Sequence, residues 1–235
     1  MERETSSPEV SEIVVRLVNS DDELLDARRL HASCYIGAGY YDAGRLRLDG
    51  TVEDPWVPYS DYMIALDDDG GLLGTVRVIK PSPRGLQTFH YADLDDESQA
   101  LFSTLDANTC VEISALATTR RGMQNRSVAA ALYGAVWRYC VVNRHAYMIA
   151  LTDRTMLRIL RRFFGFPFEV IGPEVDEFGG PQVPLAMYVP SATELYRKYD
   201  PDFLLRHGIG LTFEDLDDYV IDLRSRVPEI QPEIA

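Results

Sequence analysis

CVEISALATTRRGMQNRSVAAALYGAVWRYCVV, residues 110–142, changes its period partway along. The first nine residues are apolar or small, with one carboxylate at Glu112, and read as a strand. TRRGMQN (119–125) is a polar turn. Beyond it Val128, Ala131, Leu132, Ala135, Val136 and Tyr139 recur at helical spacing. AYMIALT (146–152) then supplies a short apolar run suited to a central strand. Strand, turn, helix and strand in that order point to a mixed α/β or α+β sheet layered with helices.

Downstream, DRTMLRILRRFF (153–164) is a helix with Asp153 at its start and Gly165 and Pro167 beyond its end. FEVIG (168–172) and VPLAMYVP (183–190) read as strands separated by an acidic Gly/Pro loop, and helical, acidic segments follow from 191. Upstream, residues 1–11 read as a frayed tail and EIVVRLV (12–18) as a strand. Ser20 and Glu23 form a capping box opening a helix over about 21–36. The punctuated stretch 37–60 is long for a passive connection. DYMIALD (61–67) and LLGTVRVI (72–79) flank a hairpin turn, and 84–108 holds one or two short helices. We therefore divide the chain into a tail (1–11), one domain (12–190) and an acidic helical extension (191–235).

Composition narrows the function. No apolar run approaches the roughly 20 residues of a membrane span. The polar start MERETSSPEV carries no apolar leader core, so no secretory signal is expected. Three widely spaced cysteines (Cys34, Cys110, Cys140) suggest neither a disulfide framework nor a zinc site, so a reducing cytoplasm is expected. Lys+Arg 23 against Asp+Glu 37 gives −14, which argues against nucleic-acid binding. The charge is uneven. Residues 120–162 hold nine arginines and one acid, a window of +8 that leaves −22 for the rest of the chain. A cationic island in an acidic protein points to a bound anion or an acidic partner.

Arg120, Arg121 and Gly122 sit where a strand feeds a helix start, and such a turn aims N–H groups at an anion such as a pyrophosphate. Glu112, in an otherwise apolar strand, is either buried with an arginine partner or lines a cleft as a general base. Arg77, mid-strand, poses the same question and is a candidate ion-pair partner for it. Cys110 alternates with Glu112 and reads as a small core residue rather than a nucleophile. His31, His90, His145 and His207 show no metal spacing and read as structural or exposed, so no metal is expected.

The stretches ARRLHASCYIGAGYY (27–41), LLGTVRVIKPSPRGL (72–86), VEISALATTRRG (111–122) and RRFFGFPFEVIGPEVDEFGGPQVPLAMYVP (161–190) resemble the GNAT acyltransferase superfamily. Within it they look like the N-acyl amino acid synthases and acyl-homoserine-lactone synthases. The resemblance implies a mixed, mostly antiparallel central sheet flanked by helices. It also implies direct acyl transfer from a phosphopantetheine thioester, on an acyl carrier protein or coenzyme A, to a small amine such as an amino acid. No tightly bound cofactor is implied. Glu112 falls on the family's fourth-strand glutamate, Arg77 on its third-strand arginine, Glu53 or Asp54 near its acidic loop residues, and Tyr35 and Tyr41 on its aromatic pair. Phosphate contacts fall to Arg120, Arg121, Gly122 and Arg126. His31 and Ala115 stand where the lactone synthases carry arginines, so lactone formation is not implied.

The helix 153–164 places Arg154, Arg158 and either Arg161 or Arg162 on one face, suited to an acidic carrier protein. Neutralisation of the chain's own acidic tail is the alternative use of these arginines. The rival functions are an acetyl-CoA-dependent N-acetyltransferase and a non-catalytic thioester-binding module.

Overall fold

Alternation along the hairpin sorts the layers. In β2 (Ser60–Leu66), Tyr62 and Ile64 pack with Ala27 of α1 (Asp21–Gly37), whereas Met63 and Ala65 join the large cluster that contains α4 (Met123–Val142). Helix α1 thus covers one face of the sheet and α4 the other, as the period-2 pattern of a two-sided strand requires. The computed structural model describes residues 13–119 and 123–230, with the backbone alone for 123–125. The tail and Arg120, Arg121 and Gly122 lie outside the described residues.

The remaining elements are β1 (Val14–Leu17), β3 (Leu72–Ile79), α2 (Gln87–Tyr91), α3 (Asp96–Thr104), β4 (Cys110–Thr118), β5 (Tyr147–Thr152) and α5 (Arg154–Phe163). They are followed by β6 (Glu169–Val170), β7 (Val175–Glu177), β8 (Gly180–Tyr188), α6 (Val189–Tyr199), α7 (Pro201–His207) and α8 (Phe213–Arg226). The strand order is β1-β2-β3-β4-β5-β8-β6, with β7 paired to β8. Among the described strands only β4 and β5 run parallel, joined by the α4 crossover, and the other pairs are antiparallel.

Local chemistry sets most boundaries. Asp153 accepts from the N–H groups of Thr155 (2.7 Å) and Met156 (2.9 Å) and starts α5. Ser20 caps α1 by accepting the Glu23 N–H at 3.2 Å. The expected reciprocal bond is displaced by one residue: the Glu23 carboxylate takes the Asn19 N–H at 2.9 Å and pairs with Arg16 at 2.6 Å. The stretch 173–182, expected as a loop, contains a hairpin. β7 returns into β8 through Phe178 (φ 50°) and Gly179 (φ 80°), the two left-handed residues of a type I′ turn. A Cβ at Gly179 would also lie 2.3 Å from the Gly39 carbonyl oxygen. A phenylalanine in the first turn position hides this signal. The strand expected over 168–172 shrinks to two residues.

After β8 the chain enters α6 directly, and the C-terminal helices share the main core. Leu216, Tyr219 and Leu223 are buried in it. Tyr219 Oη donates to the His145 carbonyl at 2.6 Å, and Tyr188 Oη to that of Val227 at 3.1 Å. Acids of α8 pair with Arg144 and Arg197. Of the α5 arginines, Arg154 pairs with Glu174 rather than with an acid of α8.

Candidate active site

The parallel ladder between β4 and β5 begins with Cys110↔Tyr147 and ends at Glu112↔Ile149, although the strands run on to Thr118 and Thr152. The cause lies on the opposite edge of β4. Thr75 faces Ala117 and Arg77 faces Ser114, so Ala115 and Leu116 together oppose Val76. This bulge holds Ala115 at φ 54°, a left-handed conformation costing an alanine about 1–2 kcal/mol. A bulge bends its strand, and beyond it β4 parts from β5. A cavity of about 140 Å³ occupies the opening.

Glu112 stands where the strands part, lines the cavity and is 1% exposed. Burial pushes its carboxyl up to about 7, against the Thr88 N–H that donates to Oε2 at 2.8 Å and the nearby Arg77 charge. Such a group exchanges a proton near neutrality.

Arg77 is fully buried beside it, but its salt bridge goes to Asp54 rather than to Glu112. Its Nε donates to Ser114 Oγ at 2.8 Å and its Nη2 to Gln87 Oε1 at 2.6 Å. The expected direct pair is thus replaced by a pair with the 37–60 segment, and of the two loop acids Asp54 makes it. Tyr35 and Tyr41 line the same cavity, with ring centroids 5.4 Å apart. Tyr40, which no sequence motif singles out, lines the same wall: its hydroxyl donates to Asp153 Oδ2 at 2.5 Å and ties the end of α1 to α5.

Leu116, Tyr133, Tyr35 and Met156 also line a second, more open cavity of about 390 Å³ between α1, β4, α4 and α5. The two spaces share these walls: an inner cavity at Glu112 and a more open outer one beside it. Arg126 lines the outer part, its guanidinium 4.7 Å from the Phe163 ring centroid. The α5 arginines divide. Arg154 pairs with Glu174 at 2.7 Å, and Arg161 donates twice to the Phe168 carbonyl. Arg158 and Arg162 are exposed, with Arg158 donating to Thr155 Oγ1 at 3.2 Å.

Cys110 does not line the cavity, and burial raises its thiol to about 12, which removes it as a nucleophile. His31, expected as structural or exposed, is buried and lines the cavity. Gln87 and the Thr88 N–H come from a short helix that nothing in the sequence marks as part of a site. No cluster of metal-ligating side chains exists among the described residues. No helix among them is long and apolar enough to cross a membrane.

Residues 26–187 match the family of the N-acyl amino acid synthase FeeM. No curated protein matches. Many solved structures share the fold, three of which illustrate it. FeeM, an N-acyl amino acid synthase from uncultured soil microbes, is 20% identical with a TM-score of 0.59, over 78% of this chain and 94% of that one. The CoA-dependent acyl-homoserine lactone synthase BjaI, solved with SAM and isopentyl-CoA, is 14% identical with a TM-score of 0.64, over 89% and 100%. The acyl-homoserine lactone synthase LasI is 17% identical with a TM-score of 0.57, over 76% and 91%. The mostly antiparallel sheet, the parted strands and the family match over most of the sequence agree: this chain is an acyltransferase of the N-acyl amino acid synthase family.

Proposed function

We propose that the enzyme moves an acyl group from a phosphopantetheine thioester to the amine of an amino acid or similar small molecule by direct attack. The observation that carries this reading is the end of the β4–β5 ladder at Glu112, which leaves a slot with a near-neutral carboxyl at its inner end. The pantetheine arm lies in the outer part of the slot, and its thioester reaches the inner cavity. An ammonium entering there gives a proton to the Glu112 carboxylate, directly or through one water. The freed amine attacks the thioester carbonyl, forming the C–N bond. Backbone N–H groups of β4 beyond the last β5 pair serve the tetrahedral oxyanion. Collapse breaks the C–S bond, and the proton that the nitrogen sheds as it becomes an amide goes to the leaving sulfur. Tyr35, Tyr41 and the Arg77–Asp54 pair shape the acceptor side.

Ile113, Ala150, Leu160 and Phe168 make an apolar wall in the inner cavity. That wall supports an acyl chain longer than acetyl and disfavours the acetyltransferase alternative. Arg126, which lines the outer cavity, and Arg158 and Arg162, exposed on α5, support an acidic donor, an acyl carrier protein first and coenzyme A second. Arg120, Arg121 and Gly122 belong to the same phosphate reading. The test is thiol release from acyl-carrier and acyl-CoA donors across a panel of amines, with the products identified by mass. Amide formation that depends on Glu112 is expected. Thiol release without amide product, or turnover unchanged in Glu112→Gln, sinks the reading.

A further inference from the structure

Thr88 is fully buried, and its Oγ1 has no hydrogen-bond partner. A hydroxyl left so keeps the cost of its lost water, so a valine of the same shape would suit the fold better. Its place in the chain explains the missing partner. Thr88 is the second residue of α2, so no helical carbonyl lies a turn behind it. Threonine in a helix has two χ1 wells open to it, and the hydroxyl can turn without moving the backbone.

The backbone of the same residue is committed. First-turn N–H groups of a helix have no partner within it, and Leu86 ahead of α2 supplies no side-chain cap. The Glu112 carboxylate, arriving from β4, takes the Thr88 N–H instead at 2.8 Å. Gln87, the preceding residue, accepts from Arg77 Nη2 at 2.6 Å, so the start of α2 is pinned to both charged groups of the inner cavity. An N–H only donates. It serves the ionised carboxylate and does nothing for the acid O–H that appears when Glu112 takes a proton. A hydroxyl both donates and accepts. Gln87 Oε1 and Ser114 Oγ are already engaged by Arg77. The unpartnered oxygen on the residue that already touches the carboxyl is Thr88 Oγ1.

The other titratable groups of the cavity keep one charge state near neutrality. Burial raises Tyr35, Tyr40, Tyr41 and Tyr133 well above neutral pH and lowers His31 to about 3. Arg77 stays cationic beside Asp54. A titration at about 7 in this cavity therefore belongs to Glu112.

We propose that Thr88 is a positioning residue for Glu112: its N–H holds the ionised carboxylate, and its hydroxyl donates to that carboxylate or accepts from the acid O–H as the proton arrives. This deepens the acyl-transfer reading above and rests on it for turnover, though not for the hydrogen bond itself. Thr88→Val and Thr88→Ala both delete the hydroxyl, the first at nearly constant shape, whereas Thr88→Ser keeps it. Difference infrared spectroscopy follows the carboxyl band of Glu112 across pH without substrate, the band being assigned by its loss in Glu112→Gln. Charge-assisted hydrogen bonds outweigh neutral ones, so losing the hydroxyl is expected to raise the midpoint by at least about half a pH unit. The rising limb of kcat/KM for amide formation should move with it. A carboxyl that loses its aim should also lower kcat at least about tenfold, with KM for the amine little changed. Thr88→Val should melt no lower than the wild type, because it removes no hydrogen bond of the resting fold. Thr88→Ser is expected to recover the midpoint and most of the rate. An unmoved midpoint in the two hydroxyl-free variants overturns the proposal. So do equal losses in the valine and serine variants, which assign the effect to packing. A moved midpoint in an enzyme whose turnover ignores Glu112→Gln would leave this inference standing and remove the acyl-transfer reading.

Discussion

Replacing Glu112 by glutamine separates the site's chemistry from its stability. Burial holds this carboxyl at about 7 in the folded chain against an ordinary 4.5. That difference corresponds to about 3 kcal/mol. The sign follows from proton counting. Below 4.5 both folded and unfolded chains hold the proton. Between 4.5 and 7 the folded chain keeps it and the unfolded chain releases it, so stability falls as pH rises. Above 7 the whole penalty is present. Glutamine does not titrate, and its amide oxygen can still accept the Thr88 N–H now bonded at 2.8 Å. Urea denaturation at about pH 4 and about pH 8.5 should therefore show the variant gaining about 3 kcal/mol on the wild type between the two conditions. In thermal melts, at about 2–4 °C per kcal/mol for a chain of this size, the gain at high pH is roughly 6–12 °C. The same variant should lose about 10²–10⁴ in kcat/KM, together with the limb of the pH profile that rises through about 7. An unaltered pH profile refutes the role as base. A stability difference that stays constant with pH refutes the burial argument.

Three further outcomes are expected. Asp54→Asn strands the guanidinium of Arg77 in the interior, costing about 3–5 kcal/mol by chemical denaturation, whereas replacing both partners by apolar residues should cost less. Gly134→Ala gains about 1 kcal/mol of helix propensity in α4, but its Cβ would lie 2.2 Å from the His207 ring, so a net loss of about 1–3 kcal/mol is expected, with melting curves as the check. Charge reversal at Arg158 and Arg162 together should raise the KM for an acyl-carrier donor at least about tenfold, with kcat preserved and a weaker salt dependence. An unchanged KM there would dissociate α5 from donor docking.

Much of the scaffold was legible because its signals are local. Asp153 at the head of DRTMLRILRRFF predicts the N-cap that α5 has, and the 110–142 period change predicts β4 and α4. Glu112 stood out because a lone carboxylate in an apolar strand demands an explanation. Elsewhere the local signal was weak or shared. Phe178 masks the β7–β8 turn, since a left-handed aromatic residue has no propensity to announce it. Gln87 and Thr88 reach Arg77 and Glu112 from a five-residue helix with no side-chain cap. Strand positions alone suggest that Arg77 meets Glu112, yet which carboxylate meets its guanidinium depends on how the 37–60 segment brings Asp54 to β3.

The amino-acid order alone determines the strand–turn–helix–strand unit, the helix caps and the cationic window, because these depend on neighbours a few residues apart. The tertiary structure decides that Ala115 bulges, that β5 lets go of β4 after Glu112, and that the buried His31 lines the cavity between them. Those features arise where segments distant along the chain are pressed together. Burial and charge pairing are properties of that juxtaposition, and no single segment carries them.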